Sequence, residues 1–152
     1  MPAAVGQPAP DFSLTDQQNN KVSLADLKGQ KALLVFIPFP FTGICQNELC
    51  AIRDDYSALE GLGAKIVVIT CDTRHANRRW TEDNNFQFQI LSDFWPHGET
   101  CKAYGCFNET TGSAWRASFV LDANGLVREI IRTEALNIPR EHEAYSKALA
   151  AV

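Results

Sequence analysis

The sequence predicts an α/β fold with a central mixed β-sheet flanked by helices on both faces. Three observations carry this. Residues 32–37 and 64–71 are apolar runs of the kind buried strands use, the second rich in β-branched residues and suited to a central parallel strand. Between them Leu49, Ile52, Tyr56 and Leu59 recur at alternating three- and four-residue steps, the period of an amphipathic helix. Further on, Asp122-Ala123-Asn124-Gly125 separates two apolar runs and reads as a hairpin turn.

Taken in order, residues 1–10 form a lead-in containing Pro, Ala and Gly, expected to be extended and only partly ordered. Residues 11–15 and 21–23 read as short strands around the turn-forming Asp16-Gln17-Gln18-Asn19-Asn20. Ser23 is placed to start a helical turn that Gly29 closes. The strand at 32–37 leads into a long helix over about 43–62, followed by the strand at 64–71. Thr73 caps a helix to about 84, whose Arg74, Arg78 and Arg79 form a solvated face. Residues 88–91 form a strand, 92–98 an aromatic loop and 99–104 a short helix. Residues 114–121 and 126–132 pair across the hairpin, and Pro139 suits the first position of a closing helix.

At 152 residues the chain is expected to be one domain spanning 1–152, without repeats or linkers. A net charge of −4 with no long run of either sign makes nucleic acid or an anionic membrane a poor partner. The longest apolar stretch, 32–41, is broken by two prolines and too short to span a bilayer, and no secretory leader is evident. Five cysteines, an odd number, point away from a secreted disulfide scaffold and toward a reducing, cytoplasmic setting. Cys71, ending an apolar run, reads as a core residue.

Cys45 stands apart. It falls in the first turn of the long helix, where unpaired N–H groups and the helix dipole favour a thiolate, the nucleophilic form of cysteine. It shares a helix face with Leu49, Ile52 and Tyr56, so its sulfur points inward, and a thiolate there needs a fixed cation. Thr42 can offer a hydroxyl, and the N–H groups of Ile44 and Cys45 two more donors. Pro38, lacking an N–H, can wall the pocket without competing. Cys50, five residues on, is rotated by about 140° and displaced by about 7.5 Å along an intact helix. That exceeds the roughly 7 Å Cα limit for a disulfide, so a Cys45–Cys50 bond requires unwinding.

Pro38, Thr42 and Cys45 stand at the P-x-x-x-T-x-x-C spacing, and the chain resembles the peroxiredoxins essentially end to end. Phe41-Thr42-Gly43-Ile44-Cys45 and Ser92-Asp93-Phe94-Trp95-Pro96-His97-Gly98 are most similar to the one-cysteine alkyl hydroperoxide reductase E group. The resemblance implies a thioredoxin-like fold and a thiol peroxidase that reduces hydrogen peroxide or organic hydroperoxides. Cys45 would cycle through a sulfenic acid without metal, haem, flavin or selenium. It also implies Arg116, opening an apolar run ahead of an Asp-x-x-Gly turn, as the cation for thiolate and peroxide, with Glu48 orienting an arginine. Cys50 becomes a possible resolving cysteine, as in bacterioferritin-comigratory relatives that share its spacing. The reductant is then a thioredoxin- or glutaredoxin-like protein if Cys50 resolves, and a low-molecular-weight thiol if it does not. A homodimer is implied, with the 92–98 loop near its interface.

Two rival readings stay open. A thiol–disulfide oxidoreductase on the same fold prefers Cys-x-x-Cys, which Cys45-Gln46-Asn47-Glu48 lacks. A redox sensor or holdase would use Cys45 oxidation to change partners. Cys101 and Cys106 lie near His97, but a metal site needs further convergent ligands, so packing or a late disulfide is the expectation. His75 and His142 receive no role.

Overall fold

The computed structural model describes residues 2–133 and 135–152. Seven strands form one mixed sheet in the order β2-β1-β5-β4-β3-β8-β9. They are β1 (Ser13–Thr15), β2 (Lys21–Ser23), β3 (Lys31–Phe36), β4 (Ala64–Thr70), β5 (Gln89–Ser92), β8 (Ala117–Leu121) and β9 (Val127–Arg132). A separate small ladder joins β6 (Phe107–Asn108) to β7 (Ser113–Ala114). The helices are α1 (Gly43–Asp54), α2 (Tyr56–Gly61), α3 (Arg74–Asn84), α4 (Glu99–Ala103) and α5 (Glu143–Ala150).

β3, β4 and β5 are parallel, while β8 runs antiparallel to β3. The crossovers β3 to β4 and β4 to β5 step the same way across the sheet, so right-handed connections put α1, α2 and α3 on one face. The return from β5 to β8 passes β4 and β3 and carries α4 on the other face, against Cys71, Tyr104 and Phe119. β3, buried from Ala32 on, serves both sides: Leu34 and Phe36 enter the α4-side cluster, and Leu33, Val35 and, just past the strand, Ile37 enter the cluster under α1 and α5.

Several expectations hold. Thr73 Oγ1 accepts from Ala76 N–H at 3.3 Å, and exposed Arg78 and Arg79 pair with Glu82 and Asp83. Asp122 Oδ1 accepts the N–H groups of Asn124 and Leu126, closing the hairpin at Gly125 with φ +83°.

Others are corrected. The single helix over 43–62 is two, because Asp55 leaves helical geometry (φ −108°, ψ 11°). Adjacent carboxylates at 54 and 55 oppose the negative helix end, and Asp55 Oδ2 instead meets His142 Nε2 at 2.9 Å. The closing helix starts at Glu143 rather than at Pro139, since Arg140 is drawn aside by contacts described below. Arg116 lies in a bend between β7 and β8, not inside a strand over 114–121. The lead-in is held along β9: Gly6 N–H donates to Val127 O at 2.7 Å, and Val127 N–H to Gln7 O at 2.9 Å. Met1 lies outside the described residues.

Candidate active site

β3 ends at Phe36, and the turn to α1 brings Cys45 close to the end of this central strand. Pro38 and Pro40 are buried while Phe39 and Phe41 face solvent. Phe41 adopts a left-handed conformation (φ +67°), a strained choice for a bulky residue, and its ring packs on Trp80 at 6.1 Å. Thr42 stands at the N-cap of α1, but its hydroxyl donates to Phe39 O at 2.7 Å and does not cap the helix. Among the described residues no side chain caps the N–H groups of the first turn, and the Thr42 oxygen keeps its lone pairs as an acceptor. In this conformation the Thr42 proton is directed at Phe39 O.

Cys45 is completely buried beside Leu49 and Ile52, as its helix face required. Arg116, 4% exposed, places Nη1 3.2 Å from Cys45 Sγ and donates with the same nitrogen to Glu48 Oε1 at 2.7 Å. Arg116 Nε donates to Leu136 O, which fixes the guanidinium plane. The bend between β7 and β8 and the third residue past Cys45 in α1 thus bring Arg116, Glu48 and the sulfur together.

Arg140 completes the group, and sequence reasoning missed it. Its N–H and Nε donate to Glu48 Oε2 at 2.9 and 3.0 Å, and Nη2 donates to Glu48 Oε1 at 2.8 Å. Nη1 donates to Phe36 O, Ala117 O and Ser118 Oγ, tying α1 to the ends of β3 and β8. An arginine followed by Glu141, His142 and Glu143 looks like a polar helix start, so no local signal marks it as buried.

Burial acts to raise the Glu48 carboxyl, but the Arg140 guanidinium and N–H, with Arg116 behind them, outweigh it and hold Glu48 below the usual carboxylate range. Burial likewise opposes charge on Arg140, yet Tyr145, Glu48 and Cys45 keep it cationic. Two guanidiniums therefore face one carboxylate. Among the described residues no second carboxylate meets either arginine, so two positive charges face one negative charge there. A buried charge without a partner costs several kcal/mol, so this arrangement suits an anion in the pocket.

Cys50 is half-buried and turned toward α3. Gln46 Nε2 lies 3.7 Å from its sulfur and also donates to Asn84 Oδ1, while Trp80 Nε1 donates to Gln46 Oε1 at 2.6 Å. All five cysteines are free. Beside Glu48, an apolar cleft of about 180 Å³ opens between α1 and α5, lined by Ile44, Ala51, Pro139 and Tyr145 among others.

This geometry has relatives. The AhpC/TSA family model matches residues 5–130. The chain belongs to the AhpC/TSA family of peroxiredoxins. It is 40% identical to alkyl hydroperoxide reductase E of Mycobacterium tuberculosis, over 97% of each chain. It is 31% identical to peroxiredoxin Bcp of Escherichia coli, over 85% of each. The crystal structure of peroxidoxin BcpB from Mycobacterium tuberculosis superposes with a TM-score of 0.84 at 27% identity, covering 97% of this chain and 95% of that one. The thioredoxin-like fold implied by the sequence is thereby shown, and a peroxiredoxin reading is favoured over the two rivals.

Proposed function

We propose that Cys45 is the peroxidatic sulfur of this thiol-dependent peroxidase and that Arg116 is the group that holds thiolate and peroxide together. The observation that carries this reading is the 3.2 Å contact of Arg116 Nη1 with Cys45 Sγ inside a buried cluster in which two guanidiniums face the Glu48 carboxylate. The thiolate attacks one oxygen of a hydroperoxide, the S–O bond forms as the O–O bond breaks, and water or an alcohol leaves after taking up a proton. Arg116 and the N–H groups of Ile44 and Cys45 face the charge that develops on the departing oxygen. The Thr42 oxygen accepts the peroxide's proton-bearing end. Pro38 seals the base, Glu48 fixes Arg116, and Arg140 fixes Glu48.

The substrates are hydrogen peroxide and organic hydroperoxides, with exposed Phe39 and Phe41 offering apolar surface to an organic group. In the folded helix Cys50 points away from Cys45, which favours an external thiol, low-molecular-weight or on a thioredoxin- or glutaredoxin-like protein, as the direct reductant. Resolution by Cys50 would pass through unwinding of 43–50. We read residues 1–152 as one working domain in a homodimer of the cytoplasm, a setting that suits five free thiols. No described helix is long and apolar enough to cross a membrane.

The experiment is peroxide consumption with candidate reductants by wild type, Cys45→Ser and Cys50→Ser. Catalytic turnover that disappears with Cys45→Ser is expected. Stoichiometric consumption without turnover by any thiol, coupled to oxidation-dependent capture of another protein, would favour the sensor reading instead.

A further inference from the structure

Three of the five cysteines gather on the opposite face of the sheet from Cys45. Cys71 follows β4, Cys101 lies in α4, and Cys106 follows α4 in the chain; all are buried, Cys101 and Cys106 completely. The sulfurs of Cys71 and Cys101 are 3.5 Å apart, and Cys106 joins them in the same buried cluster. The Cys101–Cys106 pair alone lacks convergent ligands. The fold supplies them from two other stretches, since Cys71 Sγ, Cys101 Sγ and an Asp93 carboxylate oxygen all lie within 4.8 Å of one another.

Asp93 is the independent pointer. It is 2% exposed, and its oxygens accept the N–H groups of Thr100 at 3.0 Å and Cys101 at 2.8 Å. Among the described residues it makes no ion pair, unlike Glu48, which faces two arginines. Its bonds to those two N–H groups cap the first turn of α4, yet burial still pushes the Asp93 carboxyl above its usual range, and a bound cation would offset that cost. Zinc–thiolate bonds of about 2.3 Å place tetrahedral sulfurs about 3.8 Å apart, close to the Cys71–Cys101 separation. A buried thiol is often simple filling, but here two thiols and a carboxylate oxygen converge on one point.

We propose that Cys71, Cys101 and Asp93, with Cys106 adjoining, form a binding site for a thiophilic divalent cation of the zinc class, separate from the peroxide site. Binding replaces the two thiol protons: M²⁺ and two thiols give a bis-thiolate complex and release two protons, with no change of oxidation state. Asp93 keeps its backbone contacts through one lone pair on each oxygen and offers another to the ion. The site would join the end of β4 to α4, behind the sheet that carries the Cys45 turn.

The test uses reduced full-length protein in which Cys45→Ser and Cys50→Ser remove the other two thiols. It is unfolded and refolded with one equivalent of Co²⁺ or Zn²⁺, then desalted. One tightly held metal per chain is expected, with thiolate-to-cobalt charge-transfer absorption, a raised Tm and at least tenfold weaker binding after Cys71→Ser. Absence of retained metal, or equal retention after Cys71→Ser and Cys101→Ser together, would overturn the proposal. Should those serine variants not fold, alkylation of the parent protein in moderate denaturant, mapped by peptide mass, replaces them. Zinc is expected to shield Cys71 and Cys101; equal labelling with and without zinc contradicts the site.

Discussion

Arg116 and Arg140 touch the same carboxylate but do different work. Arg116 reaches the sulfur, so Arg116→Met is expected to slow reaction with peroxide by about a hundredfold or more, beyond the lower stability that losing its own buried pair with Glu48 brings, read by stopped-flow fluorescence on folded protein. Arg140 is fully enclosed and holds Glu48 and the ends of β3 and β8. Arg140→Met should therefore lower stability by about 3–5 kcal/mol in urea unfolding, the usual cost of breaking a buried ion pair from one side. Glu48 adds a pH dependence. Its folded carboxyl titrates below the unfolded one, so its contribution is complete above about pH 4.5 and is lost as pH falls through the lower folded value. Acid unfolding of Glu48→Gln should show a shallower fall in stability below pH 4.5 than the wild type. A parallel decline in both would contradict this coupling. Cys45, Thr42 and Pro38 could be nominated from the sequence because their spacing is local. Arg140 was not, because its partners lie 92 and 104 residues away in the chain.

At the scale of elements, regular periodicity located strands and helices but not where tertiary contacts interrupt them. The stripe Leu49, Ile52, Tyr56 and Leu59 continues across Asp55, so the break between α1 and α2 leaves no mark in the apolar pattern. The hairpin from β8 to β9 was readable since Asp122 and Gly125 set their own turn. The hydrogen bonds of Gly6 and Gln7 to Val127 were not, for nothing local distinguishes an anchored lead-in from a loose one. The entry to α4 offers a sharp test. Gly98 has φ +70°, and an added Cβ would lie 2.2 Å from the Phe107 ring. Gly98→Ala should cost about 2–3 kcal/mol or more from strain and overpacking together. Gly61, at the end of α2 with nothing within 4 Å, should tolerate alanine or gain up to about 1 kcal/mol. Urea midpoints of the two variants check the contrast; equal midpoints would mean the Gly98 geometry is relaxed.

For the whole molecule, the division of the sheet into two faces separates two sets of thiols, Cys45 and Cys50 on one and Cys71, Cys101 and Cys106 on the other. On the surface, Phe39, Phe41, Phe94 and Trp95 are exposed aromatic rings, with Trp95 82% accessible. Such rings suit the expected dimer contact, so sedimentation velocity should show a concentration-dependent dimer that Trp95→Asp weakens. A monomer at all concentrations would remove the dimer from the reading. The central claim, that the charge cluster singles out Cys45 among five thiols, is tested most directly by one equivalent of hydrogen peroxide followed by sulfenic-acid trapping and peptide mass mapping. Oxidation is expected at Cys45 first, as a trapped sulfenic acid, or as a Cys45–Cys50 disulfide if α1 unwinds. Initial oxidation at any other cysteine, with Cys45 still reduced, would contradict it.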